Sequence, residues 1–217
     1  MPGEVNTRRY DASRRRESAE GTRRAVLAAA HDLFTTAGYP ATSVASIARR
    51  AGVSVDTVYA SVGRKPQLLL AVHDMMLAGG SEPVPAEQRR YVQEIRQAPT
   101  AREKIRLYAV ALGTVLPSTV PLLLALRAAG ATDPDCLDVS ASVAERRAAN
   151  MRLFAADLRD TGDLRDDISD DWVADLVWSM NSPDYFELLR SRGLTTQQYV
   201  DLVTEVWTST FLRAGVP

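Results

Sequence analysis

The chain is poor in the residues that build metal and redox centres. Among its 217 residues are one cysteine, Cys136, and two histidines, His31 and His73. A single cysteine excludes an internal disulfide and a thiolate metal cluster, and Cys136, with no adjacent base, reads as an ordinary thiol. Neither histidine has a Cys, Asp or His at metal-ligand spacing. His73 reads as a packed histidine between two parts of the chain, or as a relay between them. The acids of "RDDISDD", 165–171, lack the glycine and spaced ligands of a calcium loop and suit a helix N-terminus better. Strand-like alternation and internal repeats are absent. So are a phosphate-cradling glycine loop, a nucleophile elbow and a zinc-protease signature, which leaves no catalytic constellation, no metal site and no cofactor. No apolar run reaches the ~20 residues of a membrane span, and the longest, "VPLLLALRAAGA", is interrupted by Arg127. The N-terminus carries no signal-peptide-like apolar stretch. The expectation is a soluble, cytoplasmic protein that is not an enzyme and has no membrane partner.

What the chain does have is 46% apolar residues, enough for one sizeable core or a small domain beside a larger one. Its formal net charge of −1 is unevenly spread. Residues 1–66 hold eleven Arg and Lys against six Asp and Glu, a net of +5, and the remainder carries −6. A small basic front on a larger acidic body suggests that only the front faces a polyanion.

Apolar spacing is helical nearly throughout. Residues 1–17 read as a flexible basic arm. Val26, Leu27, Ala30, Leu33, Phe34 and Ala37 recur at three- and four-residue steps, and Gly38 stops that helix. Thr42 or Ser43 is placed to cap a short helix, Gly52 to break it, and Ser54 to cap the next. Pro66 fits the first turn of a fourth helix. "AGGSEPVPAEQ" is the clearest linker. Beyond it helices are expected near 86–97, 100–116, 118–131, 134–161, 170–181, 184–192 and 196–214, with Pro117 and Pro121 among the punctuation. The fold class is all-α: an N-terminal three-helix unit with a helix-turn-helix, a linking fourth helix over 67–78, and a larger bundle.

In "TSVASIARRAGVSVDTVYASVGRKPQLL" the small Ala48 lets a second helix approach. Gly52 sits where the sharp turn demands positive φ, and Ile47, Val53 and Val58 point inward. The spaced matches Gly38–Tyr39, Thr42–Ser43, Ile47–Ala48, Ala51–Gly52–Val53–Ser54, Thr57–Val58–Tyr59 and Lys65 with Leu68 make this stretch resemble the N-terminal domain of the tetracycline-repressor (TetR) family of bacterial transcriptional regulators. A second stretch, "DLVWSMNSPDYFELLRSRGLTTQQYVDLV", looks like a C-terminal segment of some members.

The resemblance implies a homodimer that binds a palindromic double-stranded DNA operator and releases it when a small-molecule effector fills the C-terminal domain. The helix-turn-helix domain is then 18–66 and the ligand-binding and dimerisation domain 67–217. Thr42 and Ser43 are expected to meet phosphate through hydroxyl and backbone N–H. Val55, Asp56, Thr57, Tyr59, Ala60 and Ser61 line the recognition helix, with Thr57 and Tyr59 on phosphate or sugar. Val44, Val55 and Ala60 offer thymine-methyl contacts. Lys65 is the phosphate clamp, helped by Arg64, and Arg8, Arg9, Arg14, Arg15, Arg16, Arg49 and Arg50 supply further positive charge. Asp56 has two readings: an N-terminal-turn residue stabilised by the helix dipole, or an acceptor for a cytosine amino group.

In the body, Val139, Val143, Met151, Phe154 and Leu158 form one helical stripe, with Arg147 and Asn150 among them. Most of it reads as bundle core. Polar groups beside Met and Phe also describe a pocket wall, and by family analogy Tyr108, Leu112, Leu123, Arg147, Asn150, Met151, Phe154 and Trp178 are expected to enclose the effector. A broad apolar band, Val173, Leu176, Val177, Met180, Tyr199, Val203, Val206, Trp207 and Phe211, is expected to form a four-helix dimer interface. Two rival readings remain: a regulator that acts without an effector or as an activator, and a helical-bundle enzyme or carrier with a vestigial helix-turn-helix.

Overall fold

The computed structural model describes residues 5–80 and 82–215, and side chains from residue 16 onward. Eleven α-helices fill the described residues: α1 (Val5–Thr36), α2 (Gly38–Ala41), α3 (Val44–Ala51), α4 (Val55–Ser61), α5 (Lys65–Ala78), α6 (Arg90–Gln97), α7 (Ala101–Ala129), α8 (Pro134–Arg159), α9 (Asp170–Met180), α10 (Pro183–Ser191) and α11 (Thr196–Phe211). No strand occurs among the described residues; one isolated antiparallel bridge joins Leu164 to Leu212. The expected all-α fold is the one observed.

The short helices follow their caps. Ser43 and Ser46 exchange side-chain and backbone hydrogen bonds in a capping box that opens α3. Ser54 accepts from the Thr57 N–H to open α4. Between them Gly52 has φ +69°, the left-handed conformation that makes the turn sharp and that a side chain would strain. Ile47 and Val58 are fully buried behind this turn, against Val26, Leu27, Ala30 and Phe34 of α1 and Leu68, Leu69 and Val72 of α5.

Two sequence expectations are corrected. Residues 5–17 are helical, the front of α1, rather than an irregular arm; Arg, Ala and Glu are good helix formers, and no proline or glycine interrupts them. Residues 1–4, the rest of that arm, lie outside the described residues. Pro117 and Pro121, expected to divide two helices, lie inside α7 on its exposed side. An interior proline costs about 3 kcal/mol. Burial of Leu112, Leu116, Val120, Leu122 and Leu126, at about 1.5–3 kcal/mol each, offsets it and holds the helix through both. By length and composition α7 is also apolar enough to cross a membrane, which the division at Pro117 concealed.

Among the described residues the buried side chains form two cores. The N-terminal core extends past α5 to take in Leu122 and Leu126 of α7 and Cys136 and Val139 of α8. The body core gathers the rest of α7 and α8 with α9, α10 and α11 around Tyr199, Trp207 and Phe211. Gly113 of α7 lies so close to α11 that an added Cβ would stand 2.5 Å from Val200 Cγ2. Gly113→Ala is therefore expected to lower stability by about 1–3 kcal/mol in thermal or urea unfolding.

Candidate functional site

The outer face of the N-terminal unit is built on α3 and α4. Tyr59 is 47% and Val55 36% exposed, and Ser43, Asp56 and Ala60 also face solvent, with Val44 partly covered. Asp56 sits in the first turn of α4, where the helix dipole favours a carboxylate. Thr57 shares its hydroxyl with Ser54, 2.8 Å away, and the Ser61 hydroxyl donates back to Val58 O. Arg50 pairs with Asp32, whereas Arg16 and Arg49 are solvent-facing. The side chains of Arg8, Arg9, Arg14 and Arg15 lie outside the described residues.

Three expected phosphate ligands stand differently. Thr42 is only 3% exposed; its hydroxyl donates to Leu33 O and Gly38 O, and its N–H to Tyr39 O. Both donors assigned to DNA are thus satisfied inside the chain, and Ser43 alone presents the helix opening. Arg64 donates to Asp135 of α8 at 2.7 Å, an exposed ion pair that ties the start of α5 to the body. Lys65 lies 4.1 Å over the Tyr39 ring, and partial burial lowers its pKa. Tyr39 in turn is 3.2 Å from Cys136 Sγ, and burial raises the pKa of both groups.

In the body a cavity of about 1050 Å³ opens between α5, α6, α7, α8 and α9. All eight residues expected at the effector site, from Tyr108 to Trp178, line it. Tyr108 packs on Phe154 (ring centroids 4.8 Å apart) and stacks on Trp207 at 5.9 Å. Its hydroxyl accepts from Asn181 Nδ2 at 2.7 Å and donates to Met151 Sδ at 3.3 Å, and burial raises its pKa. The Arg147 guanidinium lies 4.9 Å over the Trp178 ring.

Sequence reading missed the cluster at the cavity's α5 side. Asp74 receives both Nη atoms of Arg146 at 3.0 and 3.1 Å, while Arg89 and His73 Nδ1 each stand 3.6 Å away. Burial opposes ionisation of Asp74, but the adjacent His73 and Arg146 outweigh it and hold its pKa near 2. Its contribution is therefore complete above the ordinary 3.8 and fades only as pH falls toward 2. Arg146 is 72 positions from Asp74, too far for any local spacing to signal the pair. Asn181, 2% exposed, was missed for the same reason.

The expected dimer residues are corrected. Val173, Val177, Met180, Tyr199, Val203, Trp207 and Phe211 are buried inside the chain's own core and have no surface to offer a partner. Only Leu176 and Val206 of that band remain partly exposed. Of the "RDDISDD" acids, Asp166 and Asp167 pair with Arg213 and Arg165, and Asp170 with Arg159. No group of three or more His, Cys, Asp or Glu that could hold a metal occurs among the described residues.

A solvent-facing helix-turn-helix on an all-helical body with a deep cavity is the form of a DNA-binding transcriptional regulator. Residues 26–72 match the model for bacterial regulatory proteins of the tetR family. No curated protein sequence matches it significantly. Among solved structures the whole-chain fold is shared with FadR from Bacillus subtilis in complex with stearoyl-CoA (15% identity, TM-score 0.65, covering 85% of this chain and 97% of that one). It is shared also with native NalD, the secondary repressor of the MexAB-OprM multidrug efflux pump in Pseudomonas aeruginosa (19%, 0.61, 92% and 100%). A choline complex from Saccharomonospora viridis is similar too (19%, 0.66, 88% and 97%).

The internal role of Thr42 has a consequence that separates it from a phosphate contact. Thr42→Val should cost about 1–2 kcal/mol of unfolding free energy, from the loss of the hydroxyl bond shared between Leu33 O and Gly38 O. It should leave the slope of DNA affinity against salt unchanged; a shallower slope would return Thr42 to the DNA face.

Proposed function

We propose that the chain is a homodimeric repressor that grips a palindromic operator through α3 and α4 and lets go when a small molecule fills the body cavity. The observation that carries this reading is the course of α5. Its first residue, Lys65, belongs to the DNA-facing surface, and eight and nine residues on, His73 and Asp74 form part of the cavity wall. A ligand that rearranges the wall around Asp74, Arg146 and Arg89 acts on the same rigid helix that carries Lys65 and the Arg64 cap. Only differential affinity for the two arrangements shifts the population, and coupling of about 1–3 kcal/mol suffices. Stearoyl-CoA held by the Bacillus subtilis relative and choline by the Saccharomonospora viridis one fit a body that takes small molecules.

On the DNA side, affinity rests on Ser43, Tyr59 and Lys65 at the backbone, with Arg16 and Arg49 adding charge. Val55, Ala60 and partly Val44 make methyl-sized contacts with bases. Arg64 is shared between Asp135 and phosphate, so operator binding competes with the tie to α8. The two recognition helices of a dimer would stand about 34 Å apart, one DNA turn.

The intact protein should bind the DNA flanking its own gene in a salt-dependent manner, read by fluorescence anisotropy. Tyr59→Ala should weaken that binding by about tenfold or more with the oligomeric state unchanged. Affinity independent of salt, or untouched by Tyr59→Ala, would overturn the placement of the DNA face.

The dimer surface that remains after the buried band is removed is the outer side of α9 and α11, with Leu176, Val206 and the 45% exposed Trp172. Leu176→Glu should give monomers in sedimentation equilibrium with helical content retained. A wild-type monomer, or a dimer indifferent to this change, would refute the surface.

A further inference from the structure

We infer that the effector is an organic carboxylate with an apolar body, its charge seated on Arg147. This rests on the cavity being the effector site, and adds the ligand's charge and the residue that selects it.

The inference starts from an imbalance of partners. Arg147 projects from α8 into the cavity wall, where its guanidinium lies over the face of Trp178. Its Nε is buried with no hydrogen-bond partner, and no carboxylate lies within ion-pairing distance of it among the described residues. Burial lowers its pKa, and the carboxylate that acts on it, Asp184, does so through space while bidentate on Arg127. The acids that line the same cavity are otherwise occupied. Asp74 holds Arg146 and faces Arg89, Asp157 holds Lys104, and Asp184 is bidentate on Arg127. Glu87 lies out in solvent. Arg89 contributes a second buried Nε without a partner, on the opposite α5 side. The wall therefore offers, at Arg147, a guanidinium with no ion-pair partner of its own among the described residues.

Geometry narrows the class further. A guanidinium stacked on an indole keeps its edge free, and that edge presents parallel N–H donors matching the two oxygens of a carboxylate. Stacking on Trp178 also disfavours a ligand cation there, since the aromatic face a cation would occupy already carries one. Next to this position Asn181 holds an unpartnered, buried Oδ1, a neutral acceptor for a hydrogen-bond donor on the ligand. The lining also has an apolar part, with Leu112, Leu116, Leu123 and Phe154 able to cover a chain or ring of moderate size.

The test uses three probes with the same ten-carbon tail and different heads: decanoate, decanol and decyltrimethylammonium. Each is titrated at neutral pH, below its micelle concentration, into the full-length dimer or monomer as purified, with calorimetry and tryptophan fluorescence as readouts. Decanoate should bind at least about tenfold tighter than the other two, the scale of one charge-assisted hydrogen bond. Arg147→Met should remove that preference while decanol binds as well as before. Arg147→Lys, which keeps the charge and loses the fork, should retain part of it. If Arg147→Met fails to fold, the wild-type ranking and Arg147→Lys decide alone. Equal binding of all three heads, or tighter binding of the cation, overturns the carboxylate inference and leaves the cavity as the effector site. Binding of none of them removes the cavity reading itself, and the inference with it.

Discussion

One continuous helix, α7, holds the two cores of this protein in a single frame. Its first half buries Ile105, Tyr108, Ala109 and Leu112 in the body, and its last turns bury Leu122 and Leu126 among the residues of the DNA-facing unit. A helix is stiff over this length, so neither core moves independently of the other unless α7 shifts or α5 tilts against it. The two prolines within α7 are kept because both of its ends are anchored by buried leucines. α5, with Lys65 at one end and His73 and Asp74 on the cavity wall, moves only relative to this shared strut.

Against that apolar frame two polar clusters sit at the joint between α5 and the body. Asp74 with Arg146 and Arg89 joins α5 to α8 and to the start of α6, and Arg64 with Asp135 lies between α5 and α8 nearer the DNA face. The first is largely buried and holds its geometry; the second is exposed and exchanges easily with another anion. A buried pair that sets an angle, beside an exposed pair that phosphate can replace, suits a body meant to have two arrangements. The cavity between them leaves buried guanidinium nitrogen without a partner, an arrangement that costs stability in the empty protein and that a bound anion relieves.

Much of the N-terminal unit was legible residue by residue. Gly52 at a positive φ, the Ser43 and Ser54 caps and the inward Ile47 and Val58 follow from local chemistry, because turns and caps are decided within four or five residues. The eight cavity residues were reached by combining helical periodicity with the family resemblance, and the structure gathers them around one space. The one stripe on α8 divides three ways. Val139 goes to the N-terminal core, Val143 to the cavity wall, and Leu158 to the body core. Periodicity identifies a buried face and says nothing of which neighbour buries it.

Local sequence was enough to determine that the chain is all-α, where its short helices begin and turn, and that a helix-turn-helix heads a larger bundle, since those outcomes depend on spacing, caps and glycine conformations. Tertiary structure alone decided that α7 runs unbroken through Pro117 and Pro121, because packing energy from distant helices outweighs the local cost. It decided likewise that Thr42 turns its hydroxyl inward, that Arg64 and Asp74 meet partners more than seventy positions away, and that most of the apolar band of α9 and α11 is core, leaving Leu176 and Val206 partly exposed. Burial and pairing are properties of what surrounds a residue, and for α7, Arg64 and Asp74 those surroundings lie far away in the sequence.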